Sequence, residues 1–170
     1  MDATRNIRML VRYSAWANNL IFEAIAKLPE GEATRARLSI FGNMLSTLNH
    51  NHVIDLIWQA HLEGRDHGFK ARNTETHPPL AQLHLAQQQL DAWYVAYAEG
   101  LSEEAFDEVV DFTFVGGGPG SMTRGDILFH GVNHKTYHRG FVADMICQVP
   151  ARPPIMDLTV FLRDVPLVLP

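Results

Sequence analysis

The sequence has a single cysteine, Cys147, among 170 residues. That scarcity excludes an intramolecular disulfide and fits a reducing compartment. Cys147 lies between Val142 and Val149 and reads as core filler with no nucleophilic role. Long apolar runs are also missing: none approaches the roughly 18 residues that a membrane span needs. The first residues, Met1-Asp2-Ala3-Thr4-Arg5-Asn6, carry no apolar signal region. Basic residues are few, 14 Lys and Arg against 19 Asp and Glu for a net charge of −5, with a pI of about 5.9. Binding a phosphate backbone requires clustered cations, and these are scattered, so no nucleic-acid partner is expected. The expectation is a soluble, cytoplasmic protein with one domain over residues 1–170. A chain of this size buries roughly 70% of its unfolded surface and needs no covalent staple.

What is present is helical periodicity. Ile7, Leu10, Val11, Ala17, Ile21, Ala24 and Leu28 mark a first helix from about Thr4 to Leu28, ended by Pro29 and Gly31. A second runs from about Phe41 to Glu63, with Gly64 where a C-terminal cap belongs. Its inward stripe is Leu45, Leu48, His50, Val53, Ile54, Ile57 and His61. Pro78-Pro79 opens a third helix to about Leu101, with Leu80, Leu83, Gln87, Leu90, Tyr94, Tyr97 and Leu101 as its stripe. Val110, Phe112 and Phe114 alternate, and the glycine-rich run Gly116–Gly120 follows, which predicts a short hairpin. That run lacks the Lys-Ser/Thr of a phosphate-binding loop. Thr123-Arg-Gly-Asp126 resembles a capping box, with Asp for the usual Glu, and starts a fourth helix from about Arg124 to Gln148. Asp157 to Arg163 is a candidate short last helix, and an apolar tail, Val165 to Pro170, follows. The fold class expected is all-α: a four-helix bundle with a minor β-hairpin before the last long helix.

The chemistry centres on His134 and His138. Four residues apart on a helix, their Cβ atoms lie about 5–6 Å from each other on one face. Both imidazoles can then reach one metal ion, since Zn–N bonds are about 2.0–2.1 Å. Ile127, Phe141 and Met145 share their helical spacing, so the pair falls on the apolar side. Imidazoles buried there need a metal or a polar network. His130 borders the same face as an alternate or supporting group. A third ligand must come from elsewhere. Periodicity turns His50 inward, whereas His52, about 200° round the helix, groups with Asp55, Gln59 and Glu63 and reads as solvated. His61 shares the His50 face but lies about 16 Å along the axis. His67 and His77 read as surface residues and His84 as structural.

Three segments carry a family resemblance: Tyr13-Ser-Ala-Trp16-Ala-Asn18, Thr47-Leu-Asn-His50 with Trp58 beyond it, and His130-Gly-Val-Asn-His134-Lys-Thr-Tyr-His138-Arg-Gly140. In this order they resemble the DinB/YfiT-like family of metalloenzymes, the DNA-damage-inducible DinB-like proteins. Phe141 departs from the pattern, many members having Gln there. The resemblance implies a four-helix bundle with a long crossover connection, commonly a homodimer; the apolar tail is a second reason to expect one. It also implies a divalent metal, zinc or nickel above all, held by His50, His134 and His138. Similar proteins include thiol transferases and isomerases that use a low-molecular-weight thiol, and others without an assigned reaction.

Three neutral imidazoles would leave a dication with positions open to water or a thiolate. Lys135 stands where a zinc metalloprotease helix carries its glutamate base, which argues against peptide hydrolysis. Asn49, Tyr137 and Arg139 flank the ligands; packing suits Tyr137, and a surface ion pair suits Arg139. The expected function is a metal-dependent enzyme using a low-molecular-weight thiol, in the manner of a thiol S-transferase, on a small electrophile. The alternatives are a non-catalytic metal-binding stress-response protein and a metal-dependent small-molecule hydrolase. A pocket plugged by Trp16, Trp58 or a partner chain would favour the non-catalytic one.

Overall fold

Local chemistry sets where each helix begins and ends in the computed structural model, which describes residues 3–165. Helix α1 spans Ala3–Ala26. Helix α2 spans Met44–Leu62, and Asn43 caps it, the Ser46 N–H donating to Asn43 Oδ1 at 2.7 Å. The sequence pattern places this start at Phe41. The positive φ of Gly42, +75°, and the Asn43 cap delay it, leaving Phe41 in the preceding loop. Helix α3, Leu80–Gly100, follows Pro79. Helix α4, Arg124–Cys147, starts at the expected cap, with the Asp126 N–H donating to Thr123 Oγ1 at 3.0 Å. A short α5 covers Leu158–Asp164. Residues 166–170 of the apolar tail lie outside the described residues.

The expected hairpin is formed by strands β1, Val109–Thr113, and β2, Pro119–Thr123, which pair antiparallel. Of the three alternating side chains on β1 and its turn, Phe112 is buried, Val110 half-buried and Phe114 exposed. Gly120 lies opposite Phe112 in the register. A Cβ on Gly120 would come within 2.4 Å of the Phe112 ring, so only glycine fits without a shift.

Helix α1 packs on α3 and α4, and α2 packs on the same two. Helices α1 and α2 are therefore not principal neighbours, and the long connection over residues 27–43 crosses the bundle. The result is the expected all-α architecture with a two-stranded sheet at one side. Among the described residues, no helix is long and apolar enough to cross a membrane.

The apolar core has two parts. One gathers Val11, Ala17, Val53, Ile57, Leu90, Tyr94, Ile127, Leu128 and Val132. The other gathers Ile21, Phe22, Leu45, Leu48, Leu83, Val142, Met145 and Ile146. Between them each helix contributes buried polar side chains: Asn18 from α1, His50 from α2, Gln87 from α3, and Lys135, His138 and Arg139 from α4. An aliphatic side chain fully buried at such a position would contribute about 1.5–3 kcal/mol. The bundle forgoes that gain across a whole layer. Cys147, expected in the core, is exposed instead: helix rotation past the buried Met145 and Ile146 turns it outward at the last residue of α4.

Candidate metal centre

The polar layer brings His50 from α2 to His134 and His138 from α4. One ring nitrogen from each lies within 4.8 Å of the others, and among the described residues no other group of His, Cys, Asp and Glu side chains converges in this way. His50 Nε2 and His134 Nε2 are 3.2 Å apart. Two nitrogens on one tetrahedral ion, each about 2.0–2.1 Å from it, stand at a comparable separation. Ring centroids are 4.8 Å apart for His50 and His138, and 4.5 Å for His134 and His138.

Hydrogen bonding fixes the tautomer of His50. Its Nδ1 lies 2.6 Å from the Arg72 carbonyl oxygen and must donate to it, which leaves the Nε2 lone pair facing His134. One proton between the two Nε2 atoms can satisfy that pair alone. Nδ1 of His134 and Nδ1 of His138 are buried and lack a hydrogen-bond partner. One cation can instead take one nitrogen lone pair from each ring, Nε2 in His50 and His134, so the donor set fits a divalent metal and Nδ1 of His134 keeps the ring proton. Burial, then the neighbouring imidazoles, holds the His134 pKa down to about 3, and burial with His50 holds His138 down to about 4. The His50 pKa is lowered too, by burial first, while the Arg72 charge opposes protonation. Near pH 7 the three rings are therefore neutral, the form that binds metal.

The triad forms one side of a cleft of about 740 Å³. Its other walls include Phe41, Ile54, Trp58, Phe112 and Phe114, with Arg72 and His130 also lining it. Phe41 stacks on His50 with centroids 4.2 Å apart. Phe112 meets Trp58 edge-on at 4.9 Å. His130 packs on Trp58 at 5.2 Å and on His134 at 5.7 Å, outside the three-nitrogen cluster. Among the described residues, no carboxylate lines the cleft.

The DinB family model matches residues 1–164. The chain belongs to the DinB family. A DinB-family relative, Protein DinB of Bacillus subtilis (strain 168), is 24% identical over 145 residues, covering 82% of this chain and 83% of that protein. The crystal structure of a DinB-like protein from Bacillus cereus ATCC 10987 is similar in fold, with a TM-score of 0.61 at 14% identity, covering 84% of this chain and 90% of that one.

Behind the triad of this DinB-family chain runs a network that the sequence did not announce. Lys135 Nζ donates to Asp55 Oδ2 at 3.0 Å and lies 3.8 Å from Asp91 Oδ1. Gln87 Nε2 donates to both carboxylates, at 2.9 Å and 3.0 Å. Asn18 Nδ2 donates to Asp91 at 2.9 Å, while Asn18 Oδ1 accepts from Arg139 at 2.7 Å. Burial raises the Asp91 pKa, and Lys135 opposes that rise. Asp55 is thus buried, not solvated as helical grouping suggested. Arg139 is buried as well and bonds Ser14, Asn18 and Thr136 instead of forming a surface ion pair. His52 is half-buried, with Nδ1 donating to Gln87 Oε1 at 2.9 Å. His67 and His77 are half-buried too, His67 packing on His61 with centroids 5.3 Å apart. Tyr137 is exposed.

Periodicity places His50, His134 and His138 but misses Phe41, Arg72 and the wall role of Phe112, which come from loops and the hairpin. Asn49 gives a partial signal for the loop. This buried polar residue donates to Asn73 and Thr74, and Asn73 donates to the Ser46 carbonyl at 3.0 Å, bracing the loop that carries Arg72.

Proposed function

We propose that this DinB-family protein is a metal-dependent enzyme that presents a low-molecular-weight thiol, as its thiolate, to a small electrophile. The observation that carries this reading is the three-nitrogen cluster opening on a cleft where, among the described residues, no cysteine or carboxylate is offered as a fourth ligand. A structural zinc site is normally closed by four protein ligands. Trp58 forms a wall of the cleft, and Trp16 packs on Phe161 at 5.6 Å, so neither tryptophan plugs the cluster. That favours an enzyme over a non-catalytic metal-binding protein. The lack of an acidic general base in the lining favours thiol chemistry over hydrolysis.

His50, His134 and His138 would hold the ion; imidazole donors suit zinc, nickel and iron. When bound, the dication supplies the positive charge that stabilises a thiolate near neutral pH. Phe41, Trp58 and Phe112 exclude water from the neighbouring space. The thiol proton goes to solvent, and a sulfur lone pair forms the new S–C bond. In a substitution the leaving group departs with its bonding pair; in an addition the displaced π pair takes up a proton.

Cobalt-substituted protein titrated with a small thiol tests this directly. A new sulfur-to-metal absorption band is expected, along with thiol conjugation that requires both the metal and His134. A spectrum unmoved by thiol would reject the reading. We extend the proposal to a homodimer, as the resemblance implies; a monomeric mass across micromolar concentrations would reject that part.

A further inference from the structure

The cleft contains one charged side chain whose purpose the metal does not explain. Arg72 is exposed at the cleft, and among the described residues its guanidinium makes no ion pair or side-chain hydrogen bond. Its backbone is held firmly: the Arg72 carbonyl accepts from His50 Nδ1 at 2.6 Å. Asn73, next in sequence, donates to the Ser46 carbonyl and accepts from Asn49. The base of this side chain is therefore fixed relative to the donor triad.

The rest of the lining sharpens the point. Among the described residues, Arg72 is the only Lys or Arg there, and no Asp or Glu joins it. Apart from the imidazoles of His61 and His130, the remaining side-chain walls are aromatic and aliphatic, with Phe41, Trp58, Phe112 and Phe114 supplying flat apolar surface. A low-dielectric cleft carrying charge of one sign concentrates ligands of the opposite sign. A guanidinium matches a carboxylate with two parallel hydrogen bonds. A volume of about 740 Å³ accommodates a small aromatic molecule together with a thiol.

We infer that the electrophile is an aromatic carboxylate, its ring against the Phe and Trp walls and its carboxylate on Arg72. This rests on the cleft being the substrate site of the reading above. Arg72 then determines specificity; it takes no part in bond making. The experiment separates this placement from a carboxylate carried by the thiol.

The test uses metal-loaded protein and unreactive probes, with affinities from calorimetry and tryptophan quenching. The first pair is 3-phenylpropionate and its neutral amide. The acid is expected to bind at least about tenfold tighter, the range of a charge-assisted hydrogen bond. Arg72→Gln should abolish that preference, and Arg72→Lys should keep part of it. Amide affinity and metal content should stay at wild-type values in both variants, because His50 bonds the backbone of residue 72 and not its side chain. The second pair is 3-mercaptopropionate and 3-mercaptopropanol. Equal binding of acid and amide, or a preference that survives Arg72→Gln, would overturn the inference. So would Arg72 dependence confined to the thiol pair, which would move the carboxylate to the thiol. An Arg72-dependent preference for the aromatic acid without any thiol coordination would support this site while rejecting the thiol reading.

Discussion

Lys135 Nζ sits 3.0 Å from Asp55 Oδ2, with both side chains buried, and joins α4 to α2 one residue from His134 and five from His50. The pair thereby ties together the two helices that carry the histidine triad. Asp91 adds a second carboxylate at 3.8 Å from the same ammonium. Removing one partner of a buried pair leaves an uncompensated charge, which costs about 3–5 kcal/mol. Lys135→Met should therefore lower the unfolding free energy by about that amount, measured by urea denaturation. A loss under about 1 kcal/mol would mean that the pair is solvated in solution.

Metal content separates donors from neighbours. His50→Ala, His134→Ala and His138→Ala should each reduce bound metal per chain severely, as measured by plasma mass spectrometry. His52→Ala, His67→Ala and His130→Ala should leave it near wild type, because their rings lie outside the cluster. Loss in His130→Ala would place a fourth imidazole on the ion.

Acid should destabilise the metal-free protein in a defined window. His134 and His138 are held down to about 3 and about 4, from an ordinary value of 6.5. Below about pH 6.5 the unfolded chain therefore binds protons that the folded chain refuses, so stability falls with pH until the folded values are reached. The unfolding free energy should be flat above pH 7 and decline toward pH 4. His134→Gln, which cannot titrate, should show a shallower decline. Equal slopes would show that His134 is not buried in its neutral form.

Gly120→Ala tests the cleft wall. The added Cβ would meet Phe112 ring carbons at 2.4 Å and 2.5 Å, and displacing that ring would disturb its edge-on packing against Trp58. Tryptophan emission should shift while metal content stays unchanged. An unshifted spectrum would mean that the backbone yields in place of the ring.

The helical stripes made the bundle and the donor triad legible, since His50, His134 and His138 recur at apolar spacing. Lys135 and Arg139 were not legible, although they repeat the same four-residue interval one step on. One step is about 100° of helix, so α4 carries two polar ladders, one facing the cleft and one facing the network. A charged residue on an apolar face normally reads as surface, and only the partners Asp55, Asp91 and Asn18, supplied by three other helices, make burial tolerable. Arg72 and Phe41 were hidden for a different reason. Loop residues have no period, and their place beside His50 depends on how the connections fold back.

The hairpin between α3 and α4 gives the cleft Phe112 and Phe114 but none of its three clustered nitrogens. The candidate metal centre and this wall of the cleft are thus encoded in separable stretches of sequence. Mutation in the hairpin can reshape the cleft while the helices keep the three histidines together, so the wall can diversify without first dispersing the triad.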